Sequence, residues 1–230
     1  MADAWTIATW NLHGSAGPDL VEVAARIESM AADVVVAQEM KRHQARVVSR
    51  HLGWHHVWRR KHYPWSVVMW WRAEGLAILS PHRLSSPQRV VLSRRTRHWS
   101  YRNRIMLSAT VHRRDASALR IHDVHLSSDD ADERIDQARR AVEIVVREGR
   151  CVVAGDLNGD DEVEVLREFR VAGLDDAGGD ATSPSHVPTA HLDRVLVPTD
   201  AVVRATSVPD ADDRWTRLSD HLPLVVSVLL

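Results

Sequence analysis

The chain has 230 residues, with one cysteine, nine Trp and a formal charge of −1 from 30 basic and 31 acidic side chains. This suits one globular domain spanning 1–230 and excludes a disulfide scaffold. Hydrophobic residues make up 44% and charged residues 27%, which is enough apolar material for a core and too little polar bias for disorder.

Thr6–Trp10 is an apolar run that stops at Asn11 and Gly14, a strand entering a loop. Behind Pro18 and Asp19, Leu20, Val23, Ala24, Ile27 and Met30 recur at helical spacing, and Asp33 precedes the buried strand Val34–Ala37. Strand, helix, strand is a crossover unit. Residues 41–52 read as a basic helix, and 54–58, 65–71 and 76–80 as short strands. Arg104–Val111 and Ala118–Leu126 predict strands, followed by a helix over Asp130–Val146 with Ile135, Ala138, Val142 and Val145 on one face. Cys151 opens the apolar run CVVAGD, where a buried, inert thiol is expected. A helix over Glu162–Ala172 and strands over Leu192–Val197, Val202–Val208 and Leu222–Leu230 complete one α/β domain of mixed sheets flanked by helices. No run of about 18 apolar residues occurs and the amino terminus has no basic-then-apolar pattern, so no membrane span or secretory signal is expected, the location is read as cytoplasmic and the chain as a monomer.

The near-neutral total conceals an asymmetry. From Lys41 to Arg114, 17 Arg and Lys stand against one acid, Glu74, giving +16 there and −17 elsewhere. Eight of the eleven Trp and Tyr residues, namely Trp54, Trp58, Tyr63, Trp65, Trp70, Trp71, Trp99 and Tyr101, lie in this segment. Cations interleaved with aromatic rings suit a nucleic-acid groove, where charges hold phosphates and rings stack on bases. The alternative is that the Trp side chains fill the core and the Arg residues form a solvated edge. Arg59, Arg60 and Lys61 are the candidate nucleic-acid rim.

Each apolar run ends or begins at a carboxylate, amide or imidazole: Asn11, Gln38-Glu39, His125, Asp156 and Asn158, Asp193, and Asp220-His221. With these strand ends gathered, one mouth collects three Asp, one Glu, two Asn and two His. Carboxylates with amide oxygens, and no thiolate pair or close His pair, favour a hard divalent ion, Mg²⁺ or Mn²⁺, over Zn²⁺.

In order, TWNLHG (Thr9–Gly14), AQEMK (Ala37–Lys41), EGLAILS (Glu74–Ser80), VHLSS (Val124–Ser128), AGDLNGD (Ala154–Asp160), HLDRVLV (His191–Val197) and SDHLPL (Ser219–Leu224) resemble the endonuclease/exonuclease/phosphatase superfamily over essentially the whole chain. That resemblance implies a deoxyribonuclease I-like fold, a four-layer α/β sandwich of two packed mixed β-sheets flanked by helices. It implies Glu39 as the main Mg²⁺ ligand, with Asn11 beside it and Asp220 as a second ligand. Asp156 and Asn158 then orient the attacking water and the phosphate, and His221, steadied by Asp193, stands at the scissile phosphate. His125 is placed to protonate the leaving oxygen, Arg104 touches phosphate, and Glu74 matches a position that supports a histidine.

VHLSS departs from the tyrosine- and asparagine-containing block of abasic-site endonucleases and disfavours that activity. The expected function is a divalent-metal-dependent phosphoester hydrolase, in first place a nuclease cleaving phosphodiester bonds by in-line water attack. The alternatives are a phosphatase or phosphodiesterase for a small-molecule or lipid phosphate ester, and a catalytically silent phosphate-binding protein.

Overall fold

The computed structural model describes residues 4–61, 73–93, 103–160 and 163–230. One six-stranded sheet runs β11 (Val202–Ser207), β12 (Leu224–Leu229), β1 (Trp5–Asn11), β2 (Val34–Lys41), β4 (Glu74–Ser80) and β3 (His55–Arg60). The other runs β5 (Arg83–Val91), β6 (Ile105–His112), β7 (Leu119–His125), β8 (Val152–Asp156), β10 (Asp193–Pro198) and β9 (Leu174–Asp176). The pairs β1–β2 and β7–β8 are parallel, and the other pairs antiparallel.

The central strands are buried on both faces, which is why they read as continuous apolar runs. Ile7, Val34, Val36, Ile78, Leu107 and Ile121 point into the core between the sheets. Their neighbours Ala8, Trp10, Val35, Ala37 and Leu79 point outward, onto α1 (Leu20–Ser29), α2 (Arg42–Leu52) and the short α5 (Asp213–Thr216). On the other side α3 (Ala131–Glu148) and α4 (Val163–Val171) cover the second sheet with Ala138, Ala141, Val145, Val165 and Phe169. The result is the expected α/β/β/α sandwich. No helix among the described residues is long and apolar enough to cross a membrane. Cys151 is buried, and burial, with the Glu148 charge, pushes its thiol up to about 12, against Arg120.

The structure adds β5, β9 and α5 to the expected elements. β5 carries Pro87 and a bulge between Ser85 and Gln88, which breaks its alternation, while β9 has only three residues. The strand expected over 65–71 lies outside the described residues.

The ladders align the chemistry at one end of both sheets. His125 is opposite Asp156, Asp156 is opposite Asp193, and Asn11 is opposite Gln38. Strands β1, β2, β7 and β8 deliver residues at or near their C-terminal ends, and β4, β6, β10 and β12 at or just before their starts. Gly155 permits this row. Its φ is +148°, and a Cβ there would lie 1.9 Å from the Val124 carbonyl oxygen. Gly155→Ala is expected to destabilise the fold by about 3 kcal/mol or more, because strain and overpacking add. Gly53→Ala at the open end of α2 (φ +67°, no atom within 4 Å) should cost only about 1 kcal/mol. Urea unfolding of the two variants checks this contrast; equal losses would contradict it.

Candidate active site

The polar ends close around a pocket of about 410 Å³. Asn11, Glu39, His125, Asp156, Asn158, Asp220 and His221 all line it, as do Glu74 and Arg104. Asp193 sits behind His221 and is 2% exposed. His13 of TWNLHG and Ser128 of VHLSS also line the pocket, as does Lys61, which lies in none of the quoted motifs.

Glu39 does not follow the end of β2, as the sequence suggests, but sits within it at a bulge. Ala37 faces Ala77 and Met40 faces Gly75, so β2 has one extra residue, and Glu39 takes φ +56°. A bulge reverses the alternation of side chains. Met40 therefore joins the apolar layer under the helices, and Glu39 turns into the pocket. Gln44 braces the turn: its Nε2 donates to the Gly14 carbonyl (2.9 Å) and its Oε1 accepts from Lys41 N–H (2.7 Å). Gly14 lies so close to the Glu39 carbonyl that a Cβ would stand 2.4 Å from it.

Asp156 is held from two sides. Asn11 Nδ2 donates to its Oδ2 (2.9 Å), and the Asn158 backbone N–H donates to its Oδ1 (2.8 Å). Asn158 adopts φ +53°, a conformation that Asn tolerates when its neighbours form such a turn, and its amide donates to the Leu126 carbonyl at 3.0 Å. Burial and the Asp193 charge raise Asp156 to about 6, although His221, Asn11 and Asn158 oppose them.

His221 Nδ1 donates to Asp193 Oδ2 at 2.7 Å, and Thr182 Oγ1 donates to the same oxygen at 2.6 Å. Burial alone lowers the imidazole's pKa, but the Asp193 charge and hydrogen bond, with Asp156 and Asp220, push it up to about 10. His221 is thus a cation at neutral pH. Its loop is fixed by Trp10, whose indole N–H donates to the His221 carbonyl at 2.8 Å, and by Ser219, whose hydroxyl donates to the Asn11 carbonyl at 2.5 Å.

The basic segment contributes differently from expectation. Lys61 is 5% exposed, with Nζ 3.2 Å from His125 Nδ1 and 3.7 Å from Glu39 Oε1, so it belongs to the pocket wall and not to an outer rim. Arg59 and Arg60 are half-buried on β3. Trp58 packs under α2 and its indole N–H donates to the Met40 carbonyl at 2.7 Å, which ties it to the fold and corrects the stacking expectation at that position. Trp54 packs in the same layer. Tyr63, Trp65, Trp70, Trp71, Trp99 and Tyr101 lie outside the described residues. Arg104 is buried, with its guanidinium donating to Ser128 Oγ at 3.4 Å. Glu74 is raised by burial and by the Glu39 charge, against Lys61, Ser15 and Lys41.

Two groups offer themselves to a cation. Asp156, Asp193 and His221 bring donor atoms within 4.8 Å of one another. Three of their four carboxylate oxygens already accept hydrogen bonds, and His221 holds a proton against Asp193. Glu39 differs: among the described residues no hydrogen bond reaches its carboxylate, and a strained bulge aims it into the pocket. Asn11 and Asp220 line the same pocket. One carboxylate open to the pocket, with neighbouring amide and carboxylate oxygens, suits a hard divalent ion that keeps several waters.

The pair Asp193–His221 makes a sign-definite prediction. The folded pKa of His221 lies above the unfolded value of about 6.5, so its stabilisation is present in full below that pH and is lost as pH rises through about 10. Asp193→Asn should bring the NMR titration midpoint of His221 down markedly and remove this alkaline loss of stability. An unchanged midpoint would contradict the pairing.

The profile of the endonuclease/exonuclease/phosphatase family matches residues 8–221. No curated protein gives a significant sequence match. Among solved structures, an endonuclease/exonuclease/phosphatase from Beutenbergia cavernae DSM 12333 superposes with a TM-score of 0.79 at 21% identity, covering 99% of this chain and 72% of that one. The mannosyl-6-phosphatase of Bacteroides thetaiotaomicron VPI-5482 gives 0.80 at 18% identity, covering 98% and 100%. D. rerio TDP2 complexed with a single-strand DNA product gives 0.75 at 17%, covering 99% of each chain. At these identities the structures share the fold, while the sequence profile takes in nearly every strand that feeds the pocket. The chain therefore belongs to the endonuclease/exonuclease/phosphatase family.

Proposed function

We propose that the protein is a divalent-metal-dependent hydrolase that cleaves nucleic-acid phosphodiester bonds by in-line attack of water. The observation that carries this reading is the convergence of an open carboxylate, a buried Asp–His pair and two buried cations on one polar pocket. Glu39, with Asn11 and Asp220, would hold the ion, Mg²⁺ or Mn²⁺, which when bound offsets charge on the phosphate oxygens. The imidazolium of His221 and the cations Arg104 and Lys61 stabilise the additional negative charge of the transition state. Asp156, with its raised pKa, orients the water and receives its proton, while Asn158 positions the phosphate. His125 faces the leaving oxygen.

Charge supports a polymeric substrate. The edges β3 and β5 lie side by side, with Arg89 Nε donating to the Arg60 carbonyl at 3.0 Å, and Arg83 and Arg89 are exposed there. Arg42, Arg46 and Arg50 are exposed on α2. Such a band attracts a phosphate backbone. A phosphatase acting on a small-molecule or lipid phosphate ester is the second reading, favoured by Lys61, whose charge sits inside the pocket beside Arg104 and not along a track.

Two experiments test these assignments. Glu39→Gln should fold normally but lose most activity at low Mg²⁺, recovering in part at high Mg²⁺; wild-type activity with unchanged metal dependence would remove Glu39 from the site. Replacing Arg59 and Arg60 by Ala, with Lys61 left intact, should weaken oligonucleotide binding. It should also flatten the salt slope by about 0.7 to 0.9 for each phosphate no longer neutralised, with hydrolysis of a small chromogenic phosphodiester unchanged. An unaltered salt slope, with turnover of phosphate monoesters, would favour the phosphatase. Binding without turnover of any ester would favour a silent phosphate-binding protein.

A further inference from the structure

We infer that the exposed face of α2 is a platform for single-stranded nucleic acid, with Arg42, Arg46 and Arg50 holding successive phosphates and His43 and His51 meeting the bases. That this strand is the one cleaved rests on the nuclease reading; the binding does not.

α2 turns one face to the fold and the other to solvent. Gln44, Ala45, Val48 and Ser49 are buried against the molecule. Arg42, Arg46 and Arg50 follow one another four residues apart, and His43, Val47 and His51 form the next row round the helix. All are exposed except Val47, which is half-buried. Each four-residue step advances about 6 Å, close to the separation of neighbouring phosphates along an extended strand, so the three cations suit three phosphates in line. No ion pair or side-chain hydrogen bond among the described residues engages these guanidinium groups. Exposed arginines elsewhere are answered by acids, as Arg139 is by Glu168, Arg150 by Asp200 and Arg170 by Asp175. Residues 41–61 contain no acid, and Glu39 of β2 and Glu74 of β4 line the pocket instead.

The second row decides the kind of anion. Imidazole rings and a small apolar side chain beside a line of cations meet bases that are unpaired, whereas in a duplex the base faces are stacked inside. A membrane is a poorer match, because a helix lying on lipid sinks Trp, Phe or Leu side chains into it, and the apolar side of α2 is already packed against the sheet. The first turn of α2 borders the pocket: Gln44 donates to the carbonyl of Gly14, next to His13, which lines it. A strand laid from Arg50 to Arg42 therefore runs about 12 Å along the helix toward the site of cleavage.

The test measures binding by the full chain in EDTA, where metal-dependent cleavage is stopped. The probes are a thymidine oligonucleotide of about 12 nucleotides, an abasic strand of the same length and the corresponding duplex. The thymidine strand should bind more tightly than the duplex. Replacing Arg42, Arg46 and Arg50 by Ala should weaken the thymidine and abasic strands alike and flatten the salt slope by about 2, at roughly 0.7 for each phosphate no longer neutralised. Replacing His43 and His51 by Ala should weaken the thymidine strand by about 5-fold or more per ring and leave the abasic strand unchanged. A wild-type protein that binds no single strand, or prefers the duplex, overturns the inference whether or not any variant folds. A folded arginine variant with the wild-type salt slope, or histidine variants that bind thymidine as tightly as wild type, overturn it too, as does binding to phosphatidylserine vesicles but to no oligonucleotide. The expected binding pattern in a protein that cleaves no nucleic acid when Mg²⁺ is restored would instead count against the nuclease reading and leave the platform standing.

Discussion

The active end of the sandwich depends on the polar contacts that join its two sheets, and the most buried of them joins β2 to β7. Gln38, on β2, donates from Nε2 to Asp123 Oδ1, on β7, at 2.7 Å, and also meets Thr9 of β1 at 3.2 Å. All three residues are fully buried. Burial holds the Asp123 carboxyl well above the usual range, against its hydrogen bonds from Gln38 and the Ala77 backbone. Away from the pocket the gap between the sheets is filled with Val, Ile and Leu, which attract without fixing a register. A directional bond sets β2 against β7, and close to it on those strands stand Glu39 and His125. The separation of those two groups follows from it.

Beyond that contact the charges are arranged so that opposite signs answer one another. The acids Asp156 and Asp193 lie on β8 and β10, and their charge falls on His221, which arrives from the loop before β12. Lys61 and Arg104 enter from the β3 end and from just before β6, and Lys61 faces the charges of Glu39 and Glu74. An isolated buried ion is costly, but each of these groups has a counter-charge nearby in the same pocket. The imidazolium of His221 needs Asp193 behind it, and Asp193 needs Thr182 as well as the ring. Donors that are already oriented when the substrate arrives do not have to reorganise as charge develops.

Much of this is legible in the sequence, for a physical reason. Central strands buried on both faces must be apolar throughout, so each one announces its end by the first residue that cannot be buried without a partner, as at Asn11, His125 and Asp156. The family resemblance then orders these ends. Three features are hidden. The Glu39 bulge leaves no trace in a pattern of alternation, because VVVAQEMK reads equally well as a strand that stops at Ala37. Lys61 looks like one of three consecutive cations, and the strand's period sets it opposite Arg60 but on the same face as Arg59, so the pattern does not mark it as the one that enters the pocket. Thr182 sits in a loop, and nothing in its surroundings marks it as the residue that holds Asp193. Strand β5, with Pro87 in its middle, reads as loop until β6 pairs with it.

The proposed mechanism turns on Glu39, and not the closer-set Asp156–Asp193–His221 group, receiving the metal. Crystals grown from the full chain and soaked in Mn²⁺ allow the ion to be located by its anomalous scattering. The expected result is a peak within coordination distance of the Glu39 carboxylate, absent from crystals of Glu39→Gln while the Asp193–His221 hydrogen bond persists. A peak between Asp156, Asp193 and His221 that survives in Glu39→Gln would contradict it.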